Sequence, residues 1–128
     1  MRLLLDTHLL IWAVSQPERL SAKGLALMSD TGNELFFSVA SLWEIAIKAS
    51  HKRADFMVDV PELHGELLRN AYQELPVLAA HTFAVAHLPH LHKDPFDRLL
   101  LAQAMRENLT LLTADETLAT YPGPILKV

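Results

Sequence analysis

The apolar residues of this chain fall into short runs separated by helical stretches. Leu3, Leu4 and Leu5 form a compact run that stops at Asp6, and a run of that length reads as a buried strand. Residues 34–38 (E-L-F-F-S), 74–77, 109–113 and 125–127 predict further strands. Between them, residues 9–14 and 20–28 read as helices parted by Gln16 and Pro17. Over residues 42–49 a helix places Leu42, Ile45, Ala46 and Ala49 on one face. Pro61 can open a helix through Tyr72, and residues 79–87 form another. Asp94-Pro95 opens a strong helix over 96–107 that Asn108 ends. Residues 52–60 are polar and irregular, 88–93 form a loop, and a brief helical turn follows Asp115. Strands alternating with helices predict an α/β domain with a short parallel sheet flanked by helices on both faces. Right-handed crossovers then bring the carboxyl end of every strand to one edge.

Composition narrows the function classes. A chain of 128 residues, 51% of them hydrophobic, is expected to form a single domain spanning 1–128 with a real core. A net charge of −4 argues against a broad basic surface for duplex DNA but leaves room for a local basic groove. The absence of cysteine excludes disulfides and thiolate chemistry. Arg2 and the leucines resemble the start of a signal peptide, yet Asp6 and His8 interrupt the apolar run too early. No uncharged stretch is long enough to span a membrane, and a soluble, cytoplasmic protein is expected.

Four segments bring acids to strand ends or helix starts: Leu5-Asp6-Thr7, Ser38 to Lys48 with Glu44 inside it, Asp94 to Ala104 with Asp97 inside it, and Leu112 to Glu116 with Asp115 inside it. Each acid alone also reads as a helix device. Asp6 or Thr7 can cap the following helix. Ser41-x-x-Glu44 matches a capping box, and Glu44 pairs with Lys48 at i, i+4. Asp94-Pro95-x-Asp97 is a standard helix start, and Asp115 can cap a turn. Capping does not explain why the four converge. In a parallel sheet Asp6 and Asp115 leave strands on the same edge, with Glu44 just after the second strand. Crowded carboxylates repel unless protonated or neutralised by a cation. Mg²⁺, a hard ion, takes oxygen ligands of this kind, and such a site can activate water against a phosphodiester.

These segments resemble the PIN-domain nucleases, in particular the VapC toxins of bacterial toxin–antitoxin pairs. The resemblance rests on the opening L-L-L-D-T-H, the S-V-A-S-L-W-E-I-A-I-K block, D-P-F-D-R-L-L-L-A-Q-A, L-L-T-A-D and the closing Y-P-G-P-I-L, and covers nearly the whole chain. It implies a PIN-like three-layer domain. It places the metal-binding, catalytic acids on Asp6, Glu44, Asp97 and Asp115. Asp94 is then a helix cap at the rim, and Thr7 and Thr113 orient carboxylates or water. The implied activity is a Mg²⁺- or Mn²⁺-dependent endoribonuclease with one or two ions, attacking RNA with metal-activated water. The implied partners are a VapB-like antitoxin whose C-terminal segment blocks the site, and a second copy in a homodimer.

Other features are weighed beside these. Lys48, Lys52, Arg53 and Arg98 lie on the acid-bearing segments and read either as a basic rim for RNA phosphates or as solvated surface. Lys48 and Arg98 are favoured for RNA by their place in the matched motifs. His87-x-x-His90-x-His92 has the look of a zinc site but contains Pro89 and reads better as a structural loop. His8 is expected to pack or hydrogen-bond. Trp12 and Trp43 can stack bases but sit at helical spacing that favours packing. Leu10, Ile11, Leu63, Leu67, Leu68 and Tyr72 form either core or a surface for an antitoxin helix or a second subunit. The rivals are a PIN nuclease of RNA processing, an inactive RNA-binding protein, and a Mg²⁺-binding phosphoacceptor signalling domain. The last needs a lysine after a late strand, and Lys127 lies too near the end of the sequence to serve well.

Overall fold

The computed structural model describes residues 1–51 and 58–128. The chain runs β1 (Arg2–Leu5), α1 (Thr7–Ser15), α2 (Ala22–Ser29), β2 (Glu34–Ser38), α3 (Val39–Ser50), α4 (Val60–Arg69), β3 (Gln73–Leu75), α5 (Ala79–Val85), α6 (Pro95–Glu107), β4 (Thr110–Thr113) and β5 (Ile125–Lys127). The strands form one sheet in the order β3-β2-β1-β4-β5. Every pairing is parallel, with Leu4 opposite Phe36 on one side of β1 and Leu111 on the other. The chain leaves β1 towards β2 and returns to its other side as β4, so a switch point lies between β1 and β4. Open α/β sheets bind ligands outside the strand ends at such a point.

Alternation along the strands sorts the core into two layers. Leu3, Leu5, Phe37 and Leu112 face α1, α3 and α4, where they meet Leu10, Ile45 and Leu67. Leu4, Phe36 and Leu111 face the other way and meet Leu100, Leu101 and Ala104 of α6. The three leucines of β1 are all fully buried, as a central strand covered on both faces requires. Ser38 at the end of β2 donates to Gln103 of α6 over 2.6 Å, and Gln103 in turn donates to the Pro76 carbonyl. This ties α6 to the sheet's carboxyl edge. Among the described residues no helix is long and apolar enough to cross a membrane.

Element boundaries differ from the sequence expectations for local reasons. α1 begins at Thr7 because Asp6 is its cap. The second helix shortens to Ala22–Ser29 behind a Ser21 cap, with Pro17–Arg19 as a separate turn. α4 stops at Arg69 because Ala71 takes a positive φ of 65°. β3 is Gln73–Leu75 rather than 74–77, since Pro76 has no N–H to continue the ladder. Asn108 ends α6 in the left-handed conformation, φ 57°, as its identity foretells.

Phe37 is fully buried, edge-on to His64. Phe37→Ala is expected to cost about 3–5 kcal/mol of stability in urea unfolding. A loss below about 1 kcal/mol would show that this layer is not packed as described.

Candidate functional site

The site is built from the residues at the ends of β1 and β4, the second turn of α3 and the first turn of α6. Asp6 is 4% exposed. Its Oδ1 accepts from the Leu9 amide at 2.9 Å, capping α1, and its Oδ2 accepts from the Thr113 hydroxyl at 2.5 Å. Thr113 Oγ1 accepts in turn from the Asp115 amide at 3.0 Å. The end of β4 is thereby bonded to the end of β1. Thr7 donates to Glu44 Oε1 over 2.6 Å and lies 3.0 Å from Ser41 Oγ. Lys48 Nζ donates to the other oxygen of Glu44 over 2.8 Å. Glu44 is 2% exposed, so both its oxygens are met by charge or hydroxyl, as burial demands.

Asp97 opens α6 behind its cap Asp94, whose carboxylate accepts from the Phe96 and Asp97 amides. Burial, then the charges of Asp94, Asp6, Glu44 and Asp115, push the Asp97 carboxyl up to about 8. Burial also raises Asp6, against the opposing hydrogen bonds from Thr113 and Leu9. The expected acids are therefore within one another's fields, and the edge carries more negative charge than its own donors neutralise.

A residue the sequence reading set aside joins them. His92 Nε2 is 2.9 Å from Asp97 Oδ2 and 3.8 Å from Asp115 Oδ2. Ligand atoms of His92, Asp97 and Asp115 all lie within 4.8 Å of one another. The signal available in sequence was position: His92 stands two residues before the α6 cap, whereas its loop companions His87 and His90 are exposed. Among the described residues the donor set is thus carboxylate oxygens with one imidazole. That set, and the mutual repulsion at Asp97, fit a divalent cation.

Several expectations are corrected. Ser41 is not a cap: α3 starts a turn earlier behind Ser38, so Ser41 and Glu44 form no capping box and both meet Thr7. Arg98, expected at an RNA-binding rim, is 8% exposed, its side chain turned into the protein. Its guanidinium donates to the Pro89, Val85 and Leu88 carbonyls and to Tyr121 Oη. Leu10, Ile11, Leu63 and Leu67 are core, leaving Leu68 exposed and Tyr72 partly buried. Trp43 is 61% exposed, packed edge-on to Phe96 at 5.1 Å. Trp12 lies beneath the Arg19 guanidinium, 4.6 Å from it. Lys52 and Arg53 lie outside the described residues.

A parallel α/β domain with acids gathered at the β1–β4 crevice is the class that this fold and site define. The PIN domain family profile matches residues 3–124. The chain belongs to the PIN domain family. Ribonuclease VapC22 of Mycobacterium tuberculosis is 27% identical over 121 residues, 94% of this chain and 92% of that protein. Among solved structures, VapBC2 from Rickettsia felis, bound to a DNA fragment from its promoter, superposes with a TM-score of 0.73 at 19% identity. That match covers 99% of this chain and 98% of the other. VapBC-1 from nontypeable Haemophilus influenzae gives 0.64 at 16% identity, with 99% and 98% covered.

Two outcomes follow from this geometry. The Asp97 carboxyl binds its proton more tightly in the folded chain than in the unfolded one. Its contribution to stability is full below the ordinary value of 3.8 and is lost as pH rises through about 8. The Tm of metal-stripped protein should fall across that window, and Asp97→Asn should flatten the fall and raise Tm at pH 8 by about 5 °C. An unchanged slope in the variant would refute the assignment. Separately, Arg98→Ala strands buried carbonyls and is expected to cost about 2–4 kcal/mol in urea unfolding. A change under about 0.5 kcal/mol is what a surface arginine would give.

Proposed function

We propose that this chain is a divalent-metal-dependent endoribonuclease, the toxin of a VapBC-type toxin–antitoxin pair. The observation that carries the reading is the meeting of Asp6, Glu44, Asp97 and Asp115 at the switch point, with Asp97 pushed up to about 8 by burial first and then by the charges of Asp94 and the other three. The family assignment and the likeness to a protein named a ribonuclease support it.

In this reading Asp6, Glu44, Asp97 and Asp115 hold one or two Mg²⁺ or Mn²⁺ ions. Bound there, such an ion acidifies water and neutralises charge that develops on a phosphodiester under in-line attack. The chain's own groups prepare the place. Thr113 fixes Asp6 Oδ2, Thr7 fixes Glu44 Oε1, and Lys48 holds Oε2, so little reorganisation remains when substrate arrives. Lys48, 27% exposed and paired with Glu44, is the residue this reading assigns to an RNA phosphate. Arg98, buried against carbonyls and Tyr121, is assigned an anchoring role instead of one in RNA binding.

An antitoxin segment that covers the edge would block the site, as expected of a VapB-like partner. A shallow apolar groove of about 410 Å³, walled by Trp43, Val85, Phe96 and Leu99, suits the homodimer expected of this class.

Asp6→Asn or Asp97→Asn is expected to lower Mg²⁺-dependent RNA cleavage at least about a hundredfold, and to relieve growth inhibition on induction in a bacterium. The readout is purified-protein cleavage with mapped RNA 5′ ends, beside circular dichroism to confirm folding. Wild-type cleavage by a folded Asp6→Asn protein would sink the proposed site.

A further inference from the structure

We propose that His92 supplies its Nε2 directly to the cation at this edge, so that the ligand set is one imidazole nitrogen with carboxylate oxygens. This rests on the metal-dependent reading above and refines it.

Three observations carry the inference. The first is spacing. Donor atoms around an ion with bonds of ~2.1 Å stand roughly 3–4 Å apart. The separations of His92 Nε2 from Asp97 Oδ2 and Asp115 Oδ2, 2.9 and 3.8 Å, lie in that range.

The second is delivery. The His92 amide donates to Tyr121 Oη at 2.9 Å, and Arg98 Nη1 donates to the same oxygen at 3.0 Å. Arg98 also donates to the Val85, Leu88 and Pro89 carbonyls. A buried guanidinium thus clamps the loop and, through Tyr121, the His92 backbone, while the imidazole itself meets Asp97 in the first turn of α6.

The third is the state of the ring. Nδ1 receives only a long contact from the Asp94 amide, 3.4 Å. No strong hydrogen bond at Nδ1 therefore ties the ring to another orientation than the one that aims Nε2 at the carboxylates.

A nitrogen donor has a chemical consequence. Mg²⁺ favours all-oxygen surroundings, whereas imidazole shifts preference along the first row, from Mn²⁺ towards Co²⁺ and Ni²⁺. The site should discriminate for Mn²⁺ over Mg²⁺ through His92. A histidine that merely orients Asp97 by hydrogen bonding would weaken both ions alike.

The experiment uses the full chain with Mn²⁺ as the probe. Pulsed electron paramagnetic resonance of the Mn²⁺-loaded protein is expected to show imidazole ¹⁴N coupling. The coupling should vanish in His92→Gln and persist in His8→Gln. Calorimetric titration should show Mn²⁺ affinity falling about tenfold or more in His92→Gln, with Mg²⁺ affinity falling markedly less. Labelling histidine with ¹⁵N in the wild-type chain should convert the coupling, which keeps the test open if His92→Gln fails to fold. Mn²⁺ bound without nitrogen coupling, or coupling that survives in His92→Gln, overturns the assignment and leaves the nuclease reading standing. Failure of the wild-type chain to bind Mn²⁺ or Mg²⁺ at all overturns both.

Discussion

The parallel pairing of β1 with β4 sets Leu5 beside Leu112, and the Asp6 amide donates to the Leu112 carbonyl at 3.0 Å. The two buried strands therefore end level with each other. Asp6 and Thr113 emerge side by side, and the Thr113 hydroxyl closes onto Asp6. Strand register is stiff because a slip of one residue turns every side chain to the opposite face. Leu3 and Leu5 belong to one core layer and Leu4 to the other, so any slip would expose part of both. The position of the first acid is thus fixed by apolar packing well away from it.

The same packing sets up an electrostatic conflict. Asp6 and Asp97 stand where burial raises their proton affinity, and the charges of Asp94, Asp6, Glu44 and Asp115 oppose ionisation of Asp97. Local donors relieve part of this: Thr113 at Asp6, Thr7 and Lys48 at Glu44. Asp97 has His92 and yet remains pushed up to about 8. Stability alone would place neutral side chains here. A set of clustered, largely buried like charges that destabilises the fold on its own is accounted for by a ligand of opposite charge, which is why the site reads as a cation's.

Much of this is legible in the sequence itself. The leucine run ending at Asp6 marks a central strand and its carboxyl end, and Asp94-Pro95 marks the start of α6, because both signals are local. What was not legible depends on tertiary neighbours. Ser41 carries the spacing of a capping box, but α3 starts at Val39, directly after β2, and leaves Ser41 inside the helix. Arg98 sits beside an acid in a matched motif, and only the fold shows its side chain turned into the 85–89 carbonyls. Leu10 and Leu67 carry helical apolar spacing that fits core and interface equally, and burial decides for core. His92 lies in a loop, where no periodicity reports on direction.

Adjacent residues on α6 divide the work of that first turn. Asp97 faces the acidic edge, while Arg98, about a hundred degrees further round the helix, faces the loop and Tyr121. Lysine could not replace Arg98 here. Its ammonium offers three donors from one point, whereas the guanidinium spreads its donors in a plane wide enough to meet three carbonyls and a phenol together. The buried cation is stabilised by carbonyl dipoles, and its hydrogen bonds go to these and to Tyr121 instead of to the nearby carboxylates. The arrangement keeps a positive side chain one residue from Asp97 and still leaves the carboxylate cluster in need of a counter-charge. That separation is what allows one helix turn both to anchor the loop bearing His92 and to present an acid to the site.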